Sequence, residues 1–455
     1  MNSGNAHPVT YEAALYLRQT PTVGDPPVLF APAAAAQDEG NVLQSYGRFA
    51  QMLLPMEYTG WMDECVAHVQ SCYIGDWSSL HKLQIRGRQA LEFLGWLGMR
   101  DVITRFDIGQ VKHHVQLDEG GWVASEGIVC RLGVEEFLYT AGSGDWLLWQ
   151  LESGRWDAEV TDVTADRFIF GIQGPESPHV VEALVGESVR DIAFSRSRMA
   201  RIDGVEVRVL RTGISGEVGY EIHGPSEAAN TIWTAAVRAG QPFGIRQLGI
   251  RSQPVQHIEA GIATNGLDYL PASILTPGAP RQFRRGTPGG SYVSSNGITD
   301  YFRRPGELGW GFRKGIPARD FLGRDALVAD AAQLRTQRTL VGLHWNRDDV
   351  MSLFGAVLAG DEDLPQAMEL PRARTPAFDQ VLVRGELAGI STGRTLSLNL
   401  GATISLCVID SAHCAPGTEV IVVWGEPGTV QREMRATVTT LPFKPDRRRN
   451  DVTAR

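Results

Sequence analysis

Positive charge is in short supply in this sequence: 43 lysines and arginines face 52 aspartates and glutamates, a formal net charge of -9 over 455 residues. That balance opposes a sequence-independent grip on nucleic acid or an anionic membrane, so neither is an expected partner and a small molecule is. No stretch reaches the roughly 18 uninterrupted apolar residues of a membrane-spanning helix. The N-terminal MNSGNAHPVTYEAALYLRQTPTVG lacks the basic segment and apolar run of a signal peptide, and a cytoplasmic location is the expectation. Cysteine is scarce as well. Cys65, Cys72, Cys130, Cys407 and Cys414 are odd in number, form no CxxC and are too widely spaced for a disulfide framework or a zinc site. They read as reduced, buried thiols, and no metal is expected. The absence of a G-x-G-x-x-G opening a strand–helix unit argues against a dinucleotide-binding domain.

What is present is ordinary globular composition, with 43% hydrophobic and 21% charged residues and with 24 prolines and 50 glycines spread along the chain. At domain sizes of roughly 100 to 200 residues, this length predicts two to four domains. Residues 1–50, rich in Pro, Ala and polar residues, read as an N-terminal extension, with APAAAAQDEG as a loose connection. The run LQIRGRQALEFLGWLGM predicts a strand, a turn at Gly87 and an amphipathic helix with Ala90, Leu91, Leu94 and Leu97 on one side. HHVQLDEGGWVASEGIVCRLGVEEFLYTAG alternates apolar and polar residues between glycine turns, as half-buried antiparallel strands do. A helix follows near WLLWQLESG. RFIFGIQGPESPHVVEALVG, MARIDGVEVRVLRTGISGEVGYEIHGP and SEAANTIWTAAVRAG repeat strand, helix, paired strands and helix, which indicates an α+β core through residue 330. Within it, residues 271–305 form a long loop loaded with Pro, Gly and Arg. From about Arg338, LVGLHW, QVLVRGELAGIST, TISLCVID and TEVIVVWGE are short, regularly spaced strands that predict a separate β-barrel or sandwich over residues 331–455. The tail PFKPDRRRNDVTAR is expected to be frayed and solvated.

Several segments together resemble one family. PMEYTGWMDECVAHVQSCYIGDWSSLHKLQIRG from Pro55 to Gly87, FGIQGPES at 170–177, GISGEVGYEI at 213–222, IEAGI at 258–262 and DFLGRDAL at 320–327 are similar to folate-dependent aminomethyltransferases, the glycine-cleavage T-proteins. Five ordered matches across about 270 residues are far more specific than any one of them. AGISTGRTLSLNLGATISL extends the resemblance into the barrel. Within that superfamily, GDWSSLHKL and GGSYVSSNGITDYFRRPGELGWGF look most like the tetrahydrofolate-dependent O-demethylases of methoxylated aromatic acids, of the vanillate and syringate type. The resemblance implies a T-protein-like fold with a C-terminal barrel and tetrahydrofolate as cofactor. It also implies methyl transfer from a small aromatic methyl ether to N5 of that cofactor.

Site residues follow from the same matches. The pterin presents a row of N–H donors, and a carboxylate accepts two of them in parallel. Glu221 matches the family's pterin-binding glutamate, and strand alternation turns Tyr220 to the opposite face. Gln173 stands where a strand enters a turn, able to contact the pterin or to cap its own loop. Arg281, Arg284, Arg285, Arg303, Arg304, Arg313 and Lys314 gather around the long loop as carboxylate partners or as solvated charges. Arg131 resembles the demethylases' pocket arginine. His81 in SSLHKL resembles a member of the pocket in which the leaving phenolate needs a proton donor.

Two departures bear on the reaction. Where T-proteins carry an aspartate thought to assist aminomethyl transfer, GWVASEG has Ser125, with Glu126 beside it. Where the demethylases carry a catalytic tyrosine, RSQPVQHIEAG has Gln253, whose amide cannot supply a proton at neutral pH. His257, one helical turn on, is the candidate replacement acid. The alternatives are another folate-dependent one-carbon transfer, such as an aminomethyltransferase or an N- or S-demethylase, and a non-catalytic folate-binding accessory protein. The last carries a reactive cysteine in its family's motif, which HIEAGIATNGLDYLP lacks. The sequence leaves the oligomeric state open.

Overall fold

The computed structural model describes residues 29–453 apart from 51, 153, 276–287, 313, 333–336, 361–362 and 372–374. The fold is α+β with a closed barrel at its C-terminal end.

The central sheet has six strands, in the spatial order Ser197–Ile202, Val205–Leu210, Gly219–Pro225, Arg167–Gln173, Cys72–Asp76 and Ile245–Leu248. Its first five strands pair antiparallel and the last pairs parallel. Phe168, Phe170, Ile172, Tyr220 and Ile222 alternate onto one face and pack with Val180, Val181, Ile232 and Trp233 from the helices Ser177–Val185 and Ala229–Gly240. Fully burying each of these large apolar side chains contributes roughly 1.5–3 kcal/mol.

A second, five-stranded antiparallel sheet runs Val111–Leu117, Val123–Arg131, Glu136–Ala141, His81–Arg86 and Glu159–Asp162. The strand–turn–helix unit foreseen around Gly87 is present: His81–Arg86, then Gly87 at φ 136°, then the helix Ala90–Leu97. A Cβ at Gly87 would lie 2.6 Å from the Asp157 carbonyl, so the turn needs glycine. Phe93, Leu94 and Leu97 of that helix bury against Leu83, Ile85, Val129 and Phe137.

The barrel closes in the order Arg338–Trp345, Ala402–Asp410, Glu386–Ser397, Asp379–Val383, Glu419–Trp424 and Arg432–Thr439. Leu343, Val381, Cys407, Val422 and Val438 fill it. Closure leaves no sheet edge open to other chains.

Two expectations fail, and both failures have packing causes. The segment read as a loose connection is the helix Ala34–Gly40, which follows Leu29–Phe30 and precedes a pair of short strands, Tyr46–Phe49 and Met52–Pro55. Its alanines are small enough to lie on the main core, where Ala33 and Ala36 are buried, and Gln37 donates to Asp76 Oδ2 at 2.6 Å. The C-terminal tail is docked rather than frayed. Val452 is fully buried in the main core, Lys444 pairs with Glu217 at 3.0 Å, and Arg211 donates to the Asn450 carbonyl. The tail's arginines suggested solvation, but its single valine and its backbone carbonyls hold it down.

The helix Gln253–Glu259 joins the regions. Glu259 is buried without solvent exposure and meets His68 Nε2 at 2.8 Å, Ser397 Oγ at 2.6 Å and Asn399 Nδ2 at 3.1 Å. Burial alone would raise its carboxyl pKa. The bonds and charge of His68, with the Ser397 and Asn399 bonds, outweigh burial and hold it below the usual value. The glutamate of the IEAGI motif therefore ties the helix Trp61–Gln70 and the barrel to one point.

Candidate functional site

The face of the six-stranded sheet opposite its helices carries Tyr73, Ile169, Gln173, Glu221 and His223. Register sets Glu221 beside Gly171, and Gly171 beside Gly75. The strand beside the carboxylate and the one beyond it thus carry glycine, while Leu210 opposes Glu221 on its other side. A Cβ at Gly75 would come within 2.0 Å of the Trp77 ring, so glycine lets that indole lie directly on the sheet. Tyr73 stacks with Trp77 at 6.1 Å between centroids. Tyr220 points to the opposite face, into the core.

Glu221 Oε2 lies 2.9 Å from His223 Nε2, and the glutamate side chain keeps 14% of its exposure. His223 Nδ1 is buried with no hydrogen-bond partner among the described residues. A carboxylate with free acceptor capacity beside the flat aromatic surface of Trp77 suits a planar heterocycle that offers N–H donors. On these observations the residues present fit a pterin.

Gln173, the register partner of Tyr73, has a definite task. Its Oε1 accepts the backbone N–H groups of Ile214 at 3.1 Å and Ser215 at 3.0 Å, which closes the loop leading to Glu221. The amide oxygen serves that loop, the plainer of the two roles foreseen for it.

Arg131 stands apart from the Glu221 face. Its guanidinium donates to the carbonyls of Phe106, Gly133 and Val134 at 2.5, 3.1 and 2.9 Å and lies over the Phe137 ring. Alternation turns its neighbour Cys130 the other way, onto Val111 and Leu210, and Leu210 is the register partner of Glu221. Burial pushes the Cys130 thiol pKa up, so it remains protonated at neutral pH and is no nucleophile.

His81 opens its strand and accepts the Gly144 N–H at Nδ1, 3.1 Å away, at the start of the helix Asp145–Leu151. Gln253 and His257 share a helix at i, i+4 and so one face of it, as anticipated. Gln253 is buried, and His257 Nδ1 lies 3.2 Å from Thr264 Oγ1. Of the loop cations, Arg304 pairs with Asp330 at 2.8 Å and covers Trp122, Arg303 is buried against the carbonyls of Asp300 and Phe302, and Lys314 is exposed. Arg281, Arg284, Arg285 and Arg313 lie outside the described residues.

Ser125 and Glu126 part company. The hairpin register shifts between Gln116 and Leu117, and Ser125 turns inward, with its Oγ 3.4 Å from the Tyr139 hydroxyl. Glu126 turns to the other face and pairs with His113 at 2.8 Å. The edge of His113 meets Trp310 at 4.9 Å, and Tyr269 meets the same indole at 6.1 Å. Sequence reasoning missed Tyr73, Trp77, His113, His223, Tyr269 and Trp310. The first two stand inside the matched stretch from Pro55 to Gly87, which was a usable signal. Trp310 stands inside the demethylase-like stretch GGSYVSSNGITDYFRRPGELGWGF, and the others come together only through tertiary packing.

Among the described residues no helix is long and apolar enough to cross a membrane, and no group of three or more His, Cys, Asp or Glu residues is placed to hold a metal ion.

Residues 41–273 match the sequence model of the GCVT N-terminal domain family. The chain is 32% identical over 418 residues to sesamin methylene transferase from a Sinomonas species, covering 86% of this chain and 90% of that protein. It is 26% identical over 424 residues to syringate O-demethylase from a Sphingobium species, with the same coverage. It is 29% identical over 408 residues to a probable aminomethyltransferase of Halobacterium salinarum, covering 88% of this chain and 94% of that one. The crystal structure of the glycine cleavage system aminomethyltransferase T from Bartonella henselae superposes with a TM-score of 0.67 over 92% of this chain and 99% of that one, at 19% identity.

Proposed function

Because the chain belongs to the GCVT family and is a tetrahydrofolate-dependent one-carbon transferase, we propose that it takes a methyl or methylene carbon from the ether oxygen of a small aromatic compound and passes it to the folate nitrogen N5. The observation that carries this reading is the partly open Glu221 carboxylate beside the Trp77 indole, which lies on Gly75 and Gly171. Glu221 would accept the pterin's N–H donors and fix the ring's orientation. Gln173 would hold the loop that presents Glu221. When bound, tetrahydrofolate supplies the nucleophilic nitrogen that receives the carbon.

The chain's own contribution is position. Two reactants held in line replace a bimolecular encounter, an effect that reaches about 7–11 kcal/mol in well-oriented cases. Two of the relatives are named for methylene transfer from sesamin and for O-demethylation of syringate, which supports an ether oxygen as the donor site. Aminomethyl transfer is the second reading, supported by the Halobacterium relative. The inward turn of Ser125, which leaves no carboxylate at the position where T-proteins have one, favours the ether reading. The cytoplasm is the proposed location.

The test is incubation of the protein, without oxygen, with tetrahydrofolate and a panel of methoxybenzoates, methylenedioxyphenyl compounds and N- and S-methyl donors. Mass spectrometry then follows 5-methyl- and 5,10-methylene-tetrahydrofolate. Product from an aryl ether supports the reading, and product only from N- or S-methyl donors or from an aminomethyl carrier overturns it.

A further inference from the structure

The reading of an ether donor leaves one need unmet, a proton for the departing oxygen, because Gln253 occupies the position of the demethylases' tyrosine. We propose that Tyr269 is that proton donor, and that the Glu126–His113 pair facing it around the Trp310 indole returns its proton. The proposal rests on the ether reading.

Tyr269 is fully buried, and its hydroxyl has no hydrogen-bond partner among the described residues. A buried hydroxyl left unpaired lowers stability, and such groups in native proteins call for an explanation such as a catalytic role. Its backbone is held firmly. Gly266 N–H donates to the Tyr269 carbonyl, Asp268 N–H to the Thr264 carbonyl, and Thr264 N–H to Asp268 Oδ2, each at 2.8 Å. The same turn is bound to the helix of Gln253 through the His257–Thr264 contact. The unpaired hydroxyl is therefore carried by a segment fixed to the helix where a proton donor is missing.

Around it the chemistry converges. Tyr269 and His113 both meet Trp310 edge-on, with interplanar angles of 80° and 78°. Val115, the register partner of Glu126, packs in the same apolar cluster as Tyr269. Tyrosine and imidazole thus meet one indole, and the carboxylate is paired with that imidazole. Burial first, and the Glu126 and Asp268 charges after it, push the Tyr269 pKa well above the usual phenol range, so the hydroxyl holds its proton at neutral pH and gives it up only as charge develops on the departing oxygen. Glu126 and His113 keep 22% and 39% of their side-chain exposure, enough to exchange a proton with solvent.

The step balances as ether plus secondary amine giving phenol plus N-alkylated amine. The carbon–oxygen bond breaks with its electron pair on oxygen, and a carbon–nitrogen bond forms. Oxygen takes the Tyr269 proton, and the proton released at nitrogen reaches the tyrosinate through Glu126 and His113.

The experiment pairs Tyr269→Phe and Glu126→Gln with two aryl methyl ethers, one with a poor leaving group and one bearing a nitro group para to the ether. An acid adds about 10²–10⁴-fold to rate. With the poor leaving group, Tyr269→Phe should lower kcat at least 100-fold at unchanged KM and unchanged tetrahydrofolate affinity. With the nitro ether, the loss should shrink to less than tenfold. The thermal midpoint should not fall, because the hydroxyl has no partner to lose. Equal losses on both ethers, or a lowered midpoint, overturn the proposal in favour of a structural tyrosine.

A second readout needs no turnover: absorbance titration of a bound nitrophenol, which should ionise at higher pH in Tyr269→Phe than in the parent protein, because the donated hydrogen bond that stabilises the phenolate is lost. If the parent transfers nothing from any ether yet shows this difference, the ether reading fails while Tyr269 stands as a phenol-oxygen donor. If the titrations coincide, Tyr269 falls whatever the turnover.

Discussion

Glu221 and Glu259 both stand in segments that match the family, yet their surroundings are opposed. Glu259 has no exposure and meets His68, Ser397 and Asn399, so its acceptor capacity is filled by the fold. Among the described residues Glu221 has one partner, His223, with glycine on one adjacent strand and on the strand beyond it, and part of its surface is open. A carboxylate kept in a sequence pattern can serve architecture or a ligand, and what separates the two here is the number of partners already present. Glu259 joins three regions of chain, while Glu221 holds acceptor oxygens in reserve.

That contrast breaks down unless the two glutamates fail differently when removed. The largest effect is expected at Glu221. Two hydrogen bonds to a charged acceptor contribute roughly 1.5–3 kcal/mol each, so Glu221→Ala should weaken tetrahydrofolate binding by at least about 100-fold. Calorimetric titration measures it, and an unchanged melting midpoint separates it from unfolding. At Glu259 the loss should be of stability instead. Removing one partner of a buried ion pair costs about 3–5 kcal/mol, so Glu259→Ala should show that loss in denaturant unfolding, with folate affinity per folded molecule preserved. A Glu259 variant of normal stability and lost binding would reverse the assignment.

Acid sharpens the same distinction. The folded pKa of Glu259 is depressed, so its contribution is fully present above the unfolded carboxyl value and is lost as pH falls through the lower folded one. The parent protein should therefore lose stability from about pH 4 downward, and Glu259→Gln should lose less over that interval. Denaturant midpoints taken across the acid range decide it. Parallel curves would mean that the His68–Glu259 pair is not the group titrating.

The sequence made the architecture legible where its signals were local. The Gly87 turn, the alternation around Tyr220 and the barrel strands all follow from a period or a backbone requirement within a few residues. Glu221 was legible because its motif sets it on a strand. Less was legible where one feature served two purposes. The alanines of residues 33–36 read as a loose connection, although small side chains are what close helix packing needs. Arg131 read as a pocket cation, although it caps the turn that follows it at Gly133 and Val134 and reaches Phe106, which only the fold brings near. Tyr269 was invisible because an unpaired hydroxyl exists only once the interior around it has formed.

Gln173 tests how far Glu221 depends on its loop. Its amide oxygen satisfies two buried N–H groups, and leaving such donors unpaired costs about 1–3 kcal/mol. Gln173→Ala should lower stability by that amount and weaken folate binding about tenfold, through a loosened loop rather than a lost contact. Restoring the acceptor with Gln173→Glu should recover stability in part. A variant that loses all binding at full stability would instead make Gln173 a direct ligand.

Arg131 should give the smallest effect. The guanidinium donates to Phe106, Gly133 and Val134 at a partly exposed turn, where such bonds contribute about 1 kcal/mol in total because water competes for the same groups. Arg131→Gln should therefore lower stability by about 1 kcal/mol and change the KM for a carboxylated aryl ether less than about twofold. The opposite result, a tenfold rise in KM confined to donors bearing a carboxylate, would mean that the arginine leaves its turn to meet the substrate. Comparing a carboxylated donor with its methyl ester separates the two outcomes, because a structural arginine gives the same ratio for both.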